Sequence, residues 1–315
     1  MILRRSILTT IAACAVLAGP SPSLAATTPV LGSADAFTVM GALAVTNTGS
    51  TTITGDVGLY PGPSVVGFAT SPASTVVSGP GSTGLIAGPG LVTGTIYISH
   101  AVAEQARADA FTAYNGLKNL PFTGDLTGQD LGGLTLASGV YRFDASAQLT
   151  GTLKLDAQGN NGAFWVFQIG STLTTASASA VEVINFGSNG GFDDGLYWQV
   201  GSSATLGTTT SFEGNILALA SITLDTSATI LNGRALALNG AVTMDTNILS
   251  NVCPVGGPGN GGPGYSGGLG FDVNGGLVSN AAVPEPSAAL LGGCALAGLL
   301  AHRLRRKPAM LVRSR

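Results

Sequence analysis

Charge is scarce in this chain: only 9% of its 315 residues are Asp, Glu, Lys or Arg. Aromatic residues make up 6%, and there are 3 cysteines and 2 histidines. Each scarcity excludes something. With so few bases there is no basic face for nucleic acid. Low charge combined with 45% hydrophobic residues excludes an acidic disordered tail. Cys14 and Cys294 lie in the terminal segments, so Cys253 is alone in the body and no disulfide framework can form. His100 is the single histidine ahead of the C-terminal tail, which argues against a histidine-rich metal site or a Ser-His-Asp triad. No cofactor or catalytic residue is expected. What the chain has instead is 47 glycines among Ala, Thr, Ser, Leu and Val. Gly at that frequency disfavours a helical bundle, because each interior Gly costs about 0.5–1 kcal/mol relative to Ala.

The ends read as addresses. Residues 1–26 have the order of a secretory signal peptide: Arg4 and Arg5, an apolar run from Ile7 to Leu17, then the small-residue site Ser23-Leu24-Ala25. At the other end, Val283-Pro284-Glu285-Pro286-Ser287 precedes a short apolar segment, 288–301, and the basic cluster Arg303, Arg305, Arg306 and Lys307. That segment is short for a stable membrane span, and the cluster suits the cytoplasmic side. The arrangement resembles the PEP-CTERM sorting tail of Gram-negative bacteria, with Pro284, Glu285 and Pro286 as its motif. The resemblance implies export, transient membrane anchoring, processing by an exosortase and a link to extracellular polymer. The expected location is secreted or cell-surface.

Between the ends, the charge has a different balance. Five bases (Arg107, Lys118, Arg142, Lys154 and Arg234) face fifteen acids within residues 27–282, a net of −10. Such a body repels phosphate polymers. The Gly/Pro-rich stretch 254–282 reads as a flexible linker, which leaves a folded domain over 27–253. One amphipathic helix is expected at about 99–118. Ser99 is its N-cap, Val102, Ala106, Ala110, Phe111, Tyr114 and Leu117 form its apolar stripe, and Gly116 and Pro121 mark its end. The stretch 69–90 reads as a Gly/Pro-rich cap loop.

The rest repeats. Ser203-Ala204-Thr205-Leu206, Ser221-Ile222-Thr223-Leu224 and Ala241-Val242-Thr243-Met244 place Thr at steps of 18 and 20 residues, and Thr172-Leu173-Thr174 is a weaker earlier copy. A period of this size in strand-rich sequence predicts a β-solenoid with turns about 4.8 Å apart. Runs such as Ile216-Leu217-Ala218-Leu219 and Ala235-Leu236-Ala237-Leu238 are apolar on both faces, so the helix is expected to cover them. In the Thr strands, Ile222 and Leu224 or Val242 and Met244 point inward. The small polar residues then face out, and Thr is stiff about χ1. A rigid array of methyl and hydroxyl groups can order water and recognise an ordered solid such as ice.

Longer motifs carry a family resemblance. Thr46-Asn47-Thr48-Gly49, Ile53-Thr54-Gly55-Asp56-Val57-Gly58, Phe164-Trp165-Val166-Phe167-Gln168-Ile169-Gly170 and Trp198-Gln199-Val200-Gly201 resemble the large microbial ice-binding protein family. The resemblance implies a mainly β, irregular three-sided right-handed solenoid with one long helix alongside. It also implies adsorption to ice through one flat face, without enzymatic activity. The expected ice-binding residues are Thr172, Thr174, Ser203, Thr205, Ser221, Thr223, Ala241 and Thr243, with Asp225 and Asp245 at the edge. A second exposed column, near Ser211, Glu213, Thr229 and Asn232, is the alternative face. Two rivals come from other classes. One is a β-helix enzyme using Asp193, Asp194, Asp225 and Asp245 as a Ca²⁺ or acid/base cluster. The other is a matrix or adhesive surface protein binding exopolysaccharide.

Overall fold

The computed structural model describes residues 28–69, 74–191, 193–252, 265–272 and 274–279. The signal peptide, Cys253, residues 254–264 and the sorting tail with Pro284, Glu285 and Pro286 lie outside the described residues. The fold is mainly β, a solenoid of stacked parallel strands with one long helix against it.

Each turn contributes three short strands and so builds three faces. On the helix-covered face the stack runs from Gly124–Asp125 through Gly139–Phe143, Phe164–Ile169 and Gly195–Val200 to the second halves of Ser211–Ala218 and Thr229–Ala237. It continues, still parallel, into the N-terminal strands Phe37–Gly41, Asp56–Leu59 and Thr95–Ile98. The last turn of the C-terminal half is therefore hydrogen-bonded to the first turn of the N-terminal half. The seam is clamped by Arg234, which donates from Nε and Nη2 to the Asp35 carbonyl (2.9 and 2.7 Å) and from Nη1 to Asn215 Oδ1 (2.8 Å). Its Nη2 also lies 2.8 Å from an Asp35 carboxylate oxygen.

This order requires a long return path, and the helix supplies it. The chain leaves Thr95–Ile98 near one end of the stack and re-enters at Gly124–Asp125 at the other, eight strand spacings or about 38 Å away. The helix Ala101–Lys118 spans about 27 Å of this. Its buried stripe is Ala103, Ala106, Ala110, Ala113, Tyr114 and Leu117. Small alanines let the helix lie close over Val166, Tyr197, Leu217, Leu236 and Met40. The N-cap is His100, not Ser99: His100 Nδ1 accepts from the Val102 N–H at 3.2 Å, while Ser99 has φ +50° and bonds the Gly62 carbonyl. Val102, expected in the stripe, is 41% exposed. Gly116 does not end the helix, which runs on to Lys118 with Asn119 as C-cap; at Gly116 an added Cβ would come within 2.8 Å of the Phe271 ring.

Phe271 belongs to the stretch read from sequence as linker. Residues 265–272 and 274–279 are instead built into the fold. Leu269–Phe271 pairs antiparallel with both Thr28–Pro29 and Leu277–Ser279, and Tyr265 and Leu269 are buried. Likewise, the expected cap loop at 69–90 contains strands Thr75–Ser78 and Gly84–Val92, which close that end of the stack.

Inside the triangle, large aromatics stack along the axis. The Phe167 and Trp198 rings are 4.1 Å apart and nearly parallel, with Tyr141 and Phe212 continuing the row on either side. The buried Trp198 and Trp165 Nε1–H groups donate to the Glu213 and Leu136 carbonyls, so neither indole leaves an unpaired donor. The corner after the Thr strands uses left-handed backbone at Ala178, Thr209, Ser227 and Thr246, with φ of +57° to +64°. Four non-Gly residues in that region, one per turn, give each turn the same bend.

Candidate functional site: a threonine face

The three-residue strands form a face of their own. Their register aligns Gln148, Thr174, Thr205, Thr223, Thr243, Thr46, Val66 and Ile86 in one column. Five consecutive members are Thr. At about 4.8 Å per step the threonine stretch is about 19 Å long. Alternation explains why every one of them faces out. The flanking residues, for example Ala204 and Leu206, Ile222 and Leu224, Val242 and Met244, are fully or almost fully buried.

A second outward row precedes the first by two residues: Ser146, Thr172, Ser203, Ser221, Ala241 and Ala44. Several hydroxyls in it are tied down. Ser203 Oγ accepts the Ser221 N–H at 3.3 Å, and Ser221 Oγ accepts the Ala241 N–H at 3.2 Å. Thr172 Oγ1 donates to Ser146 Oγ at 2.8 Å. In the central column Thr46 Oγ1 donates to Thr243 Oγ1 at 3.4 Å. The hydroxyls of Thr174, Thr205 and Thr223 have no protein partner among the described residues, so water is what remains to satisfy them.

The eight residues expected from sequence thus come together as two parallel rows. Asp225 and Asp245 sit two residues beyond Thr223 and Thr243, on the rim. Asp245 is engaged there: Thr226 Oγ1 donates to it at 2.6 Å and Thr246 Oγ1 at 3.0 Å. The Thr226 bond foremost holds its carboxyl below the usual carboxylate range. Sequence reasoning missed Thr46 and Ala44. The signal was present, since Ala44-Val45-Thr46 repeats Ala241-Val242-Thr243, but the two copies lie 197 residues apart.

The third face is built by the same turns and has a different character. One outward row reads Thr152, Ala180, Ser211, Thr229, Ile248, Thr52 and Leu91. The next contains Lys154, Glu182 and Glu213. Ile248 is 53% exposed and Leu91 44%. Asn232, expected on this face as an exposed residue, is buried, and its carbonyl accepts the Tyr265 N–H. Burial pushes the Glu213 carboxyl up to about 7 and Asp194 up to about 6. The acidic residues imagined as a metal cluster do not assemble as one: no group of three or more His, Cys, Asp or Glu among the described residues is placed to hold an ion.

A family model described as ice-binding-like matches residues 39–250, which include both rows of the threonine face from Ala44 to Thr243. The chain belongs to this family. It is 52% identical over 229 residues to an ice-binding protein of Nostoc sp. (strain HG1), covering 73% of this chain and 76% of that protein. It is 32% identical over 236 residues to ice-binding protein 1 of Shewanella frigidimarina, covering 71% of this chain but only 26% of that longer protein. Among solved structures, an ice-binding protein from an Antarctic biological consortium superimposes with a TM-score of 0.59 at 42% identity, over 71% of this chain and 91% of that one. The family match ends three residues before Cys253, so the C-terminal hairpin at 265–279 lies beyond it.

Proposed function

We propose that this protein adsorbs to ice through the threonine face and thereby inhibits ice growth and recrystallisation. The observation that carries the proposal is the unbroken column Thr174, Thr205, Thr223, Thr243 and Thr46, whose three unpartnered hydroxyls project from stacked backbone. The relatives' names as ice-binding proteins support the same reading. Stacking fixes the backbone and β-branching fixes χ1, so the methyls and hydroxyls repeat at fixed intervals before any ligand arrives. Adsorption to such an array loses little side-chain entropy. Carboxylates would hold their own hydration shells, and here they stand on the rim. Binding of this kind needs no catalytic residue. A matrix role through the same face has less support, since the face presents no aromatic ring to stack on a sugar.

The terminal segments extend the proposal. The protein is exported, loses residues 1–26, and is sorted at Pro284-Glu285-Pro286 by an exosortase, with residues 288–301 as a transient anchor. This would make it a secreted or surface-displayed ice binder of a Gram-negative cell.

The direct test is ice-crystal morphology and recrystallisation in the presence of the purified protein. Faceted crystals and arrested coarsening are expected. Normal growth at high protein concentration overturns the proposal.

A further inference from the structure

The helix-covered face ends in a groove. Near the C-terminal end of Ala101–Lys118 the helix stops short of the lowest turns, leaving an open cavity of about 400 Å³ between Tyr114, Lys118, Phe122, Arg142, Gln168 and Gln199. That volume lies within the range of small-ligand sites. We propose that this groove binds an acidic saccharide, a uronate-bearing segment of a polysaccharide chain, on the side of the molecule away from the threonine face.

The chemistry points to that class. Phe122 is 46% exposed although it is a large apolar ring. The Arg142 guanidinium lies 5.1 Å from its centroid and is ion-paired with Asp144, so ring and cation form one polarised platform. An apolar ring bordered by hydrogen-bonding groups suits a sugar, whose faces present C–H and whose rim presents hydroxyls. Gln168 and Gln199 are register neighbours and nearly fully buried, which places two planar amides in the groove. Gln168 Nε2 donates to the Leu117 and Leu120 carbonyls at 2.8 Å each and to Lys118 at 3.3 Å. These bonds satisfy the carbonyls at the helix end, which would otherwise repel an anion. Gln199 and the Tyr114 side chain line the same part of the groove.

Charge selects the acidic form. Two of the five bases between residues 27 and 282 line this one groove. The others are placed elsewhere: Arg234 is buried at the seam, Arg107 bonds Leu238 and Asn239, and Lys154 is on the third face. The Lys118 ammonium has no hydrogen-bond or ion-pair partner among the described residues. Arg142 is balanced by Asp144 and stands next to Asp125 in register, so the uncompensated positive charge at the groove is the Lys118 ammonium, on a body of net −10. A body of that sign repels a polyanion as a whole. Attraction to one must therefore come from a local site.

The test is affinity electrophoresis of the purified protein through gels containing alginate, a polyuronate, or neutral dextran. Retardation by alginate and not by dextran is expected, and it should weaken as salt is raised. Lys118→Glu and Phe122→Ala change exposed side chains and should each weaken retardation roughly tenfold. Thr223→Tyr should leave it intact while abolishing ice shaping, so the two sites fail separately. Absence of retardation by alginate, equal retardation by dextran, or unchanged retardation in both groove variants overturns the proposal.

Discussion

The threonine face and the third face are made by the same turns of the same chain, with parallel strands in matching register and buried aliphatics beneath. They differ in their outward residues. One is Thr, Ser and Ala over its five central turns, with Gln148 at one end, Val66 and Ile86 at the other, and carboxylates on the rim. The other sets Ile248 and Leu91 beside Lys154, Glu182 and a half-buried Glu213. Stacking therefore supplies flatness and repeat to both faces without making both suitable for ordered water. Suitability comes from filling the outward positions of consecutive central turns with small, uncharged side chains, the Thr column among them stiff about χ1. The third face also serves the fold, since its corner receives Tyr265 against Asn232 and Asn215.

Bulky substitutions should separate the two faces most sharply. Thr223→Tyr is expected to lower recrystallisation inhibition by more than about tenfold with the melting temperature nearly unchanged, a loss of more than 1.4 kcal/mol in binding. Ser211→Tyr, the matching change on the third face, should leave inhibition as it was. If Ser211→Tyr proves the damaging one, the assignment of faces is reversed. Next in size, Trp198→Ala removes the centre of the aromatic row beneath both faces. It should cost about 3–5 kcal/mol in denaturant unfolding and weaken both faces together.

Protonation between pH 5 and 8 should spare the threonine face. The Glu213 carboxyl is raised by burial from 4.5 to about 7, so the folded state holds a proton that the unfolded state releases. The sign follows: this group's contribution to stability is greatest below about 4.5 and falls as pH rises to about 7. Melting at pH 5 and pH 8 should show that loss, and Glu213→Gln should reduce it, with ice activity of the folded protein unchanged between the two pH values. The smallest effect is expected at the corner the two faces share. Ala178→Gly relieves a left-handed alanine at φ +58° and should stabilise by about 0.5 kcal/mol, since the steric relief slightly exceeds the entropic cost of Gly.

Much of the threonine face was legible in the sequence, because its signal is local and periodic. The steps of 18 and 20 residues became the pairs Thr205–Thr223 and Thr223–Thr243. Thr174 pairs with Thr205 across 31 residues, and that longer turn still carries the pattern. The helix was legible as an element, and Ala106, Ala110, Tyr114 and Leu117 of its expected stripe are buried; its cap moved by one position, and Ala103 and Ala113 took the places of Val102 and Phe111. The reason for those two exchanges is that alanines carry weak hydropathy, so Val102 and Phe111 outweigh Ala103 and Ala113 in the sequence pattern. The ordering of 265–279 was not legible. The strand Leu269–Phe271 is only three residues long within a Gly-rich stretch, and it is held by pairing with Thr28–Pro29 and Leu277–Ser279.

By itself, then, the sequence determined which side chains point out and that turns stack, because strand alternation and repeat length are properties of a few consecutive residues. Only the tertiary structure decided the order of the turns. The helix carries the chain past the stack before the remaining turns wind back, so Thr46 comes to rest beside Thr243 and the buried Arg234 closes on Asp35. No local pattern encodes that junction. It exists because the last turn would otherwise leave a row of backbone donors and acceptors unpaired, and the first turn is the surface that satisfies them.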